Sequence, residues 1–215
     1  MLRSAWITLV TVLVLAAPAA RAQDASANTL SPSEAKEGWR LLFDGKSLNG
    51  WEARSTGNPQ AKVAPGPPDW AAANGLLVCG GTAPSWIGTV DSFTNYVLKV
   101  QFRGPAMVNS GVFLRSQKEG QPHRTGYELQ IWDAQPAGYN TGSLVGTVKA
   151  SPTNIIPDAW NQFEVTAEGD HFVVLLNGNK ILDARDAAHA SGVIGFQCQP
   201  NQRIEFRNIM VLPRS

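Results

Sequence analysis

Glu128, Gln130 and Trp132 occupy every second position of the segment TGYELQIWDA, residues 125–134, with Tyr127, Leu129 and Ile131 between them. Side chains of an extended chain alternate between two faces. One face here is ordinary core, while the other carries a carboxylate, an amide and an indole. Two further segments repeat the pattern. In NSGVFLRSQ, Phe113, Arg115 and Gln117 lie opposite Val112 and Leu114, and in GVIGFQCQ, Gln197 and Gln199 lie opposite Ile194, Phe196 and Cys198. If these strands are neighbours, Arg115, Gln117, Glu128, Gln130, Trp132, Gln197 and Gln199 share one surface. Amides and charged groups hydrogen-bond hydroxyls in pairs, and an aromatic ring packs on the apolar face of a pyranose. The combination points to a carbohydrate groove. The alternative is a solvated face on which Arg115 and Glu128 form a cross-strand ion pair.

Other reactive side chains are more isolated. His123 lies in the loop KEGQPHRTG just before the key strand, within reach of acid–base work or idle on the surface. Asp133 follows Trp132 and either caps the strand end or serves as a second carboxylate. Paired-carboxylate glycosidase chemistry needs two such groups facing each other, yet Glu128 and Asp133 are an odd number of residues apart and point to opposite faces of an unbroken strand. His171 and His189 read as structural. The chain has no phosphate-binding glycine loop between strand and helix, no G-x-S-x-G and no H-E-x-x-H. DGKSLNG lacks the repeated carboxylates of a calcium loop. No metal or other cofactor is expected.

The elements that must position these residues are short strands. Asn49-Gly50, Asn74-Gly75 and Asn177-Gly178 carry hairpin turn chemistry, and Gly169-Asp170 divides WNQFEVTAE from HFVVLLN. Strands are expected near 39–43, 69–73, 76–80, 95–103, 110–117, 126–132, 160–168, 171–177, 179–183, 191–198 and 203–212. SPSEAKEGW has the residues for one helical turn capped by Ser31 or Ser33, and DARDAAHAS for another. Many strands without intervening helices predict an all-β sandwich or barrel. Two long segments without regular structure, 53–68 and 134–159, break the series, and loops of that length often carry function.

The chain opens MLRSAWITLVTVLVLAAPAARAQ, a basic residue, an apolar run and then small residues, which reads as a signal peptide over 1–22. Residues 23–37 read as a linker and 38–215 as one domain. The protein is therefore expected to be exported, periplasmic or secreted, with no membrane segment after cleavage. A net charge of +1 without basic clusters gives no reason to expect nucleic acid. Cys79 and Cys198 read equally well as a disulfide or as two buried thiols.

GWRLLFDGKSLNGWE, NSGVFLRSQ, GYELQIWD, TGSLVGTV, WNQFEVTAEGDHFVVLLNGNKILDARD and GVIGFQ…IEFRNIMVLP, in this order, resemble the 3-keto-disaccharide hydrolase domain family, also described as 3-keto-glucoside lyases and 3-keto-2-hydroxy-glucal hydratases. The resemblance runs from about Gly38 to Pro213. It implies a concanavalin A-like jelly-roll sandwich of two antiparallel sheets, and a 3-keto-glucoside or related glycan as partner. A ketone at C3 acidifies the C2 proton, so a base removes it and the C1 substituent leaves; water then adds to the enone for net hydrolysis. Carried onto this chain, Glu128 is the expected base and Arg115 the enolate or substrate anchor. Gln130 and Gln197 would bind hydroxyls, with Trp132 stacking and Asp133 and His123 nearby. Where many members read Q-x-H-G, this chain has Gln197-Cys198-Gln199-Pro200, without the histidine. A non-catalytic carbohydrate-binding module and a protein-adhesion domain are the competing readings.

Overall fold

A computed structural model describes residues 27–55 and 70–215. The expected signal peptide, residues 23–26 and most of the 53–68 loop lie outside the described residues. Two antiparallel sheets face each other. The larger is built from β1 (Arg40–Leu41), β3 (Trp70–Ala73), β4 (Leu76–Cys79), β6 (Asn95–Arg103), β9 (Asn161–Glu168), β10 (His171–Leu176), β11 (Asn179–Arg185) and β13 (Ile204–Arg214). It runs in the order β11-β10-β9-β6-β13-β4-β3, with β1 also paired to β13. The smaller contains β2 (Trp51–Ser55), β5 (Ser85–Phe93), β7 (Ser110–Ser116), β8 (Tyr127–Ile131) and β12 (Gly192–Cys198), in the order β2-β5-β12-β7-β8. The expected jelly-roll sandwich is present. Strands β2 and β5 were not among the expected ones.

The larger sheet follows period-two patterning. Tyr96, Leu98, Val100 and Phe102 of β6 and Phe163, Val165 and Ala167 of β9 are buried in one core with Val112, Leu114, Leu129, Ile131, Ile194 and Phe196 of the smaller sheet. Burial of this apolar face is the main favourable term in folding. Trp51, Phe196 and Phe206 stack across that layer, with ring centroids 5.5 and 4.3 Å apart. Cys79 and Cys198 form a disulfide joining β4 of one sheet to β12 of the other, with Cα atoms 5.9 Å apart. Closing a loop with a sequence separation of 119 removes chain entropy worth about 2–5 kcal/mol.

Turn chemistry explains the hairpins. Asn74 and Gly75 both take positive φ (53° and 77°) between β3 and β4, as do Asn177 and Gly178 (50° and 81°) between β10 and β11. Gly169 with Asp170 turns β9 into β10. Asn49-Gly50, by contrast, precedes β2 and makes no hairpin.

Residues 27–37 are part of the fold rather than a linker. Asn28 and Asn208 exchange backbone-to-side-chain hydrogen bonds of 2.6 and 2.9 Å, and Asn28 Nδ2 donates to the Gly75 carbonyl at 2.7 Å. Helix α1 (Pro32–Glu37) then begins at Ser31 with a capping box to Glu34 and ends at Gly38, φ 93°. The expected helical turn in DARDAAHAS does not form: β11 continues to Arg185, and Asp186 accepts a 2.6 Å hydrogen bond from the Tyr127 hydroxyl instead.

Segment 134–159 is also ordered. Gln130 N–H donates to the Ser143 carbonyl, and Gly142 and Val145 N–H donate to the Gln130 and Glu128 carbonyls, each at 2.9 Å. The segment satisfies the outer edge of β8, which would otherwise present unpaired backbone groups.

Candidate active site on the five-stranded sheet

Strands β7, β8 and β12 are buried at every position. One face packs on the inter-sheet core, so the other is covered as well. The registers give the order of residues across that second face. Arg54 pairs with Trp86, Trp86 with Gln197, and Gly111 with Gln130. In the next row Glu52 pairs with Gly88, Gly88 with Gly195, Gly195 with Phe113, and Phe113 with Glu128.

Glycines open space in both rows. A Cβ on Gly111 would stand 2.8 Å from Glu128 Oε1, so the carboxylate lies over the strand where that glycine has no side chain. From there Glu128 Oε1 accepts a 2.9 Å hydrogen bond from Gln197 Nε2. A Cβ on Gly88 or Gly195 would meet the Trp86 benzo edge at 2.5 and 3.0 Å, so the indole rests flat across both strands. Phe113 meets that ring edge-on, with centroids 5.8 Å apart. The Arg54 guanidinium sits 5.7 Å from the ring centroid and donates at 2.6 Å to the Lys118 carbonyl in the β7–β8 connection. That bond ties the edge strand β2 to the far side of the sheet and straps Trp86 down.

The electrostatics follow from burial. Glu128 is 6% exposed, and loss of solvent pushes its carboxyl up to about 7, with the Gln197 hydrogen bond pulling weakly the other way. Gln197 Oε1 and Trp86 Nε1 are buried without a hydrogen-bond partner among the described residues. Each such group costs about 1–3 kcal/mol and calls for an explanation.

Of the expected site residues, the fold joins Glu128 to Gln197 and sets Gln130 beside them on the same face. Trp132 lies just past the end of β8, half-buried. Asp133 is used in tying down segment 134–159: its carboxylate accepts from the Thr141 hydroxyl at 2.5 Å and the Ile155 N–H at 3.1 Å. His123 is exposed on the single-turn helix α2 (Pro122–Thr125).

Arg115 is not on this face. The β7–β12 register slips between Val193 and Gly195, so β7 carries an extra residue there, and Arg115 takes φ 53°. The bulge turns its side chain between the sheets. It is fully buried, donating to the carbonyls of Thr94 (2.8 Å), Gly169 (2.6 Å) and His189 (3.2 Å), with the Phe172 ring 5.1 Å away. Trp86, Arg54 and Gly111 are the additions to the site. The signal for Trp86 was Gly88 and Gly195, each within an apolar run.

Residues 38–212 match the 3-keto-alpha-glucoside-1,2-lyase-like domain. A search of curated proteins finds no match. Among solved structures, a protein named as a candidate glycosyl hydrolase from Parabacteroides distasonis is similar at 21% identity and a TM-score of 0.74, covering 88% of this chain and 100% of that one. A second from the same organism has 23% identity and a TM-score of 0.64, covering 82% and 99%. The carbohydrate-binding module CBM66 of Bacillus subtilis has 15% identity and a TM-score of 0.55, covering 74% and 93%. At these identities the structures speak for the fold alone.

Proposed function

Because the chain belongs to the 3-keto-alpha-glucoside-1,2-lyase-like domain family, we propose that it cleaves 3-keto-glycosides by removing the C2 proton and expelling the C1 substituent. The observation that carries this reading is Glu128, a buried carboxylate held by Gln197 with its pKa raised to about 7. A base is most effective when its pKa lies near the working pH. An ordinary surface glutamate would be too weak.

The step balances as follows. Glu128 takes the C2 proton, and the C2–H electron pair moves into the C2–C3 bond as the C3 carbonyl becomes an enolate. The enolate then re-forms the ketone, a C1–C2 double bond appears, and the C1–O bond breaks. The leaving oxygen takes a proton from Glu128 or water. Addition of water across C1–C2 returns a 3-keto sugar, for net hydrolysis. Gln197 keeps the carboxylate facing the substrate, and Gln130 supplies an amide for neighbouring hydroxyls. The same reading assigns the protein to an exported, oxidising compartment, for which the Cys79–Cys198 disulfide is support.

The test is turnover of 4-nitrophenyl 3-keto-β-glucoside and its unoxidised parent, with the α-anomers in parallel. Release of nitrophenol from a keto sugar only, with transient enone absorbance, is the expected result. Binding of either sugar without release identifies a carbohydrate-binding module instead, and absence of both removes the sugar reading.

A further inference from the structure

An enolate intermediate needs a donor at its oxygen, and Arg115, the guanidinium expected from sequence, is fully buried between the sheets, away from this face, and donates to three backbone carbonyls there. We propose that Trp86 is a further catalytic residue: its indole N–H donates to the C3 carbonyl oxygen and stabilises the enolate formed there. The inference rests on the 3-keto-glycoside reading above and assigns within it the group that recognises the ketone.

Three observations carry it. Trp86 Nε1 is a buried donor without a partner among the described residues, on a residue only 1% exposed. An indole nitrogen can only donate, so the group is incomplete until an acceptor oxygen arrives. Second, the ring is fixed before any ligand binds. Gly88 and Gly195 lie beneath its benzo edge, Phe113 meets it edge-on and the Arg54 strap passes over it. The N–H is on the opposite edge of the indole from the atoms that touch those glycines. A donor held rigidly in a dry site stabilises developing charge without reorganising during the reaction.

Third, Trp86 is the direct cross-strand neighbour of Gln197, whose Nε2 holds Glu128 and whose Oε1 is likewise buried and unpartnered. Base, orienting amide and orphan donor therefore follow one another across the sheet. Gln197 Oε1 is an acceptor and complements a hydroxyl; Trp86 Nε1 complements a carbonyl. A 3-keto sugar presents one of each on adjacent carbons. The unoxidised parent replaces the carbonyl by a hydroxyl on a tetrahedral carbon, which has no enolate to stabilise.

The experiment replaces the N–H and keeps the ring: Trp86→Phe, with benzothienylalanine, an indole isostere lacking the N–H, placed at 86 should the Phe variant fail to fold. The readout is kcat and KM on 4-nitrophenyl 3-keto-glucoside, with deuterium exchange at C2 of 3-keto-glucose followed by NMR. Loss of one such donor is expected to lower kcat by about 10²–10³-fold and to slow C2 exchange in parallel, with KM changed by less than about 3-fold. Wild-type kcat in either variant overturns the assignment and leaves the elimination reading standing. So does a rise in KM alone, which would make Trp86 a ground-state contact. If the wild-type protein turns over no keto-glucoside, the reading itself fails and this assignment with it.

Discussion

Arg115 and Glu128 stand on neighbouring strands of the same sheet, both ionisable and both withdrawn from water, and their surroundings differ in kind. Arg115 lies on the core side of β7, where its Nε and Nη1 donate to three carbonyls and an aromatic face meets its charge, and Nη2 alone has no partner among the described residues. Glu128 lies on the outer side of β8, where one amide bonds it and burial raises its pKa to about 7. Around Arg115 the backbone is bent so that carbonyls converge on the guanidinium. Around Glu128 glycines hollow out the surface and two polar atoms are left open. A buried charge gripped by several backbone carbonyls holds structure together. One with too few partners costs stability, and strain of that type gathers at functional sites.

Exchanging each charge for a neutral side chain of similar length separates the two most sharply. Glu128→Gln keeps the hydrogen bond from Gln197 and is expected to lower keto-glucoside turnover by about 10³-fold or more, within or above the range of general-base catalysis, with an unchanged circular dichroism spectrum. Near-normal turnover in this variant would remove Glu128 as base and erase the contrast.

Arg115→Met should do the reverse. It strands the carbonyls of Thr94, Gly169 and His189 and is expected to cost about 3–5 kcal/mol of stability in chemical denaturation. The fraction that still folds should turn over with wild-type kcat. A folded, stable and inactive Arg115→Met would show that the guanidinium serves the site after all.

Proton linkage gives a third measure. The Glu128 pKa is about 7 in the folded protein against an ordinary 4.5 for a glutamate, so between these values the folded state binds more protons than the unfolded. Stability from this group is therefore fullest below pH 4.5, declines by about 3 kcal/mol as pH rises through 7, and is flat above. Asp186 and Glu205, whose pKa values are lowered, act in the opposite sense and only toward more acid pH. Thermal melts from pH 5 to 8 should show wild type losing stability relative to Glu128→Gln, until the variant is the more stable. Parallel curves would place Glu128 in a wetter setting. In kinetics the same group predicts kcat/KM rising with pH through about 7.

The two residues also mark where the sequence was legible. Alternation put Glu128, Gln130 and Gln197 on one face, and that holds because β8 and this end of β12 are unbroken. For Arg115 the same rule fails at a single residue: the bulge reverses the side chain, and nothing in NSGVFLRSQ marks a positive φ at an arginine. Strand β5 escaped because Gly88 and Thr89 interrupt its apolar pattern and because both of its faces are covered near Trp86. With β5 went Trp86, and with β2 went Arg54. Asp133 was legible only as an alternative, since its partners Thr141 and Ile155 come from a segment whose folding onto β8 depends on backbone pairing rather than side-chain pattern.

The smallest substitution, glycine to alanine, should still distinguish the two regions. Gly192 lies against the Arg115 bulge, and a Cβ there would come within 2.4 Å of the Arg115 carbonyl carbon and oxygen. Those are backbone atoms fixed by the ladder, so Gly192→Ala must move a strand, at a cost of about 1–3 kcal/mol. Gly111 lies under Glu128, and its Cβ would meet Oε1 at 2.8 Å and Cγ at 3.0 Å, atoms of a side chain that can rotate away. Gly111→Ala should therefore cost about 1 kcal/mol or less, while lifting the carboxylate off Gln197 and reducing kcat/KM by about 10-fold, a loss worth about 1.4 kcal/mol of transition-state binding. Its pH profile should shift with it, because a carboxylate lifted toward solvent recovers a lower pKa. If Gly111→Ala instead unfolds the protein while Gly192→Ala only slows it, the assignment of structure to Arg115 and chemistry to Glu128 is the wrong way round.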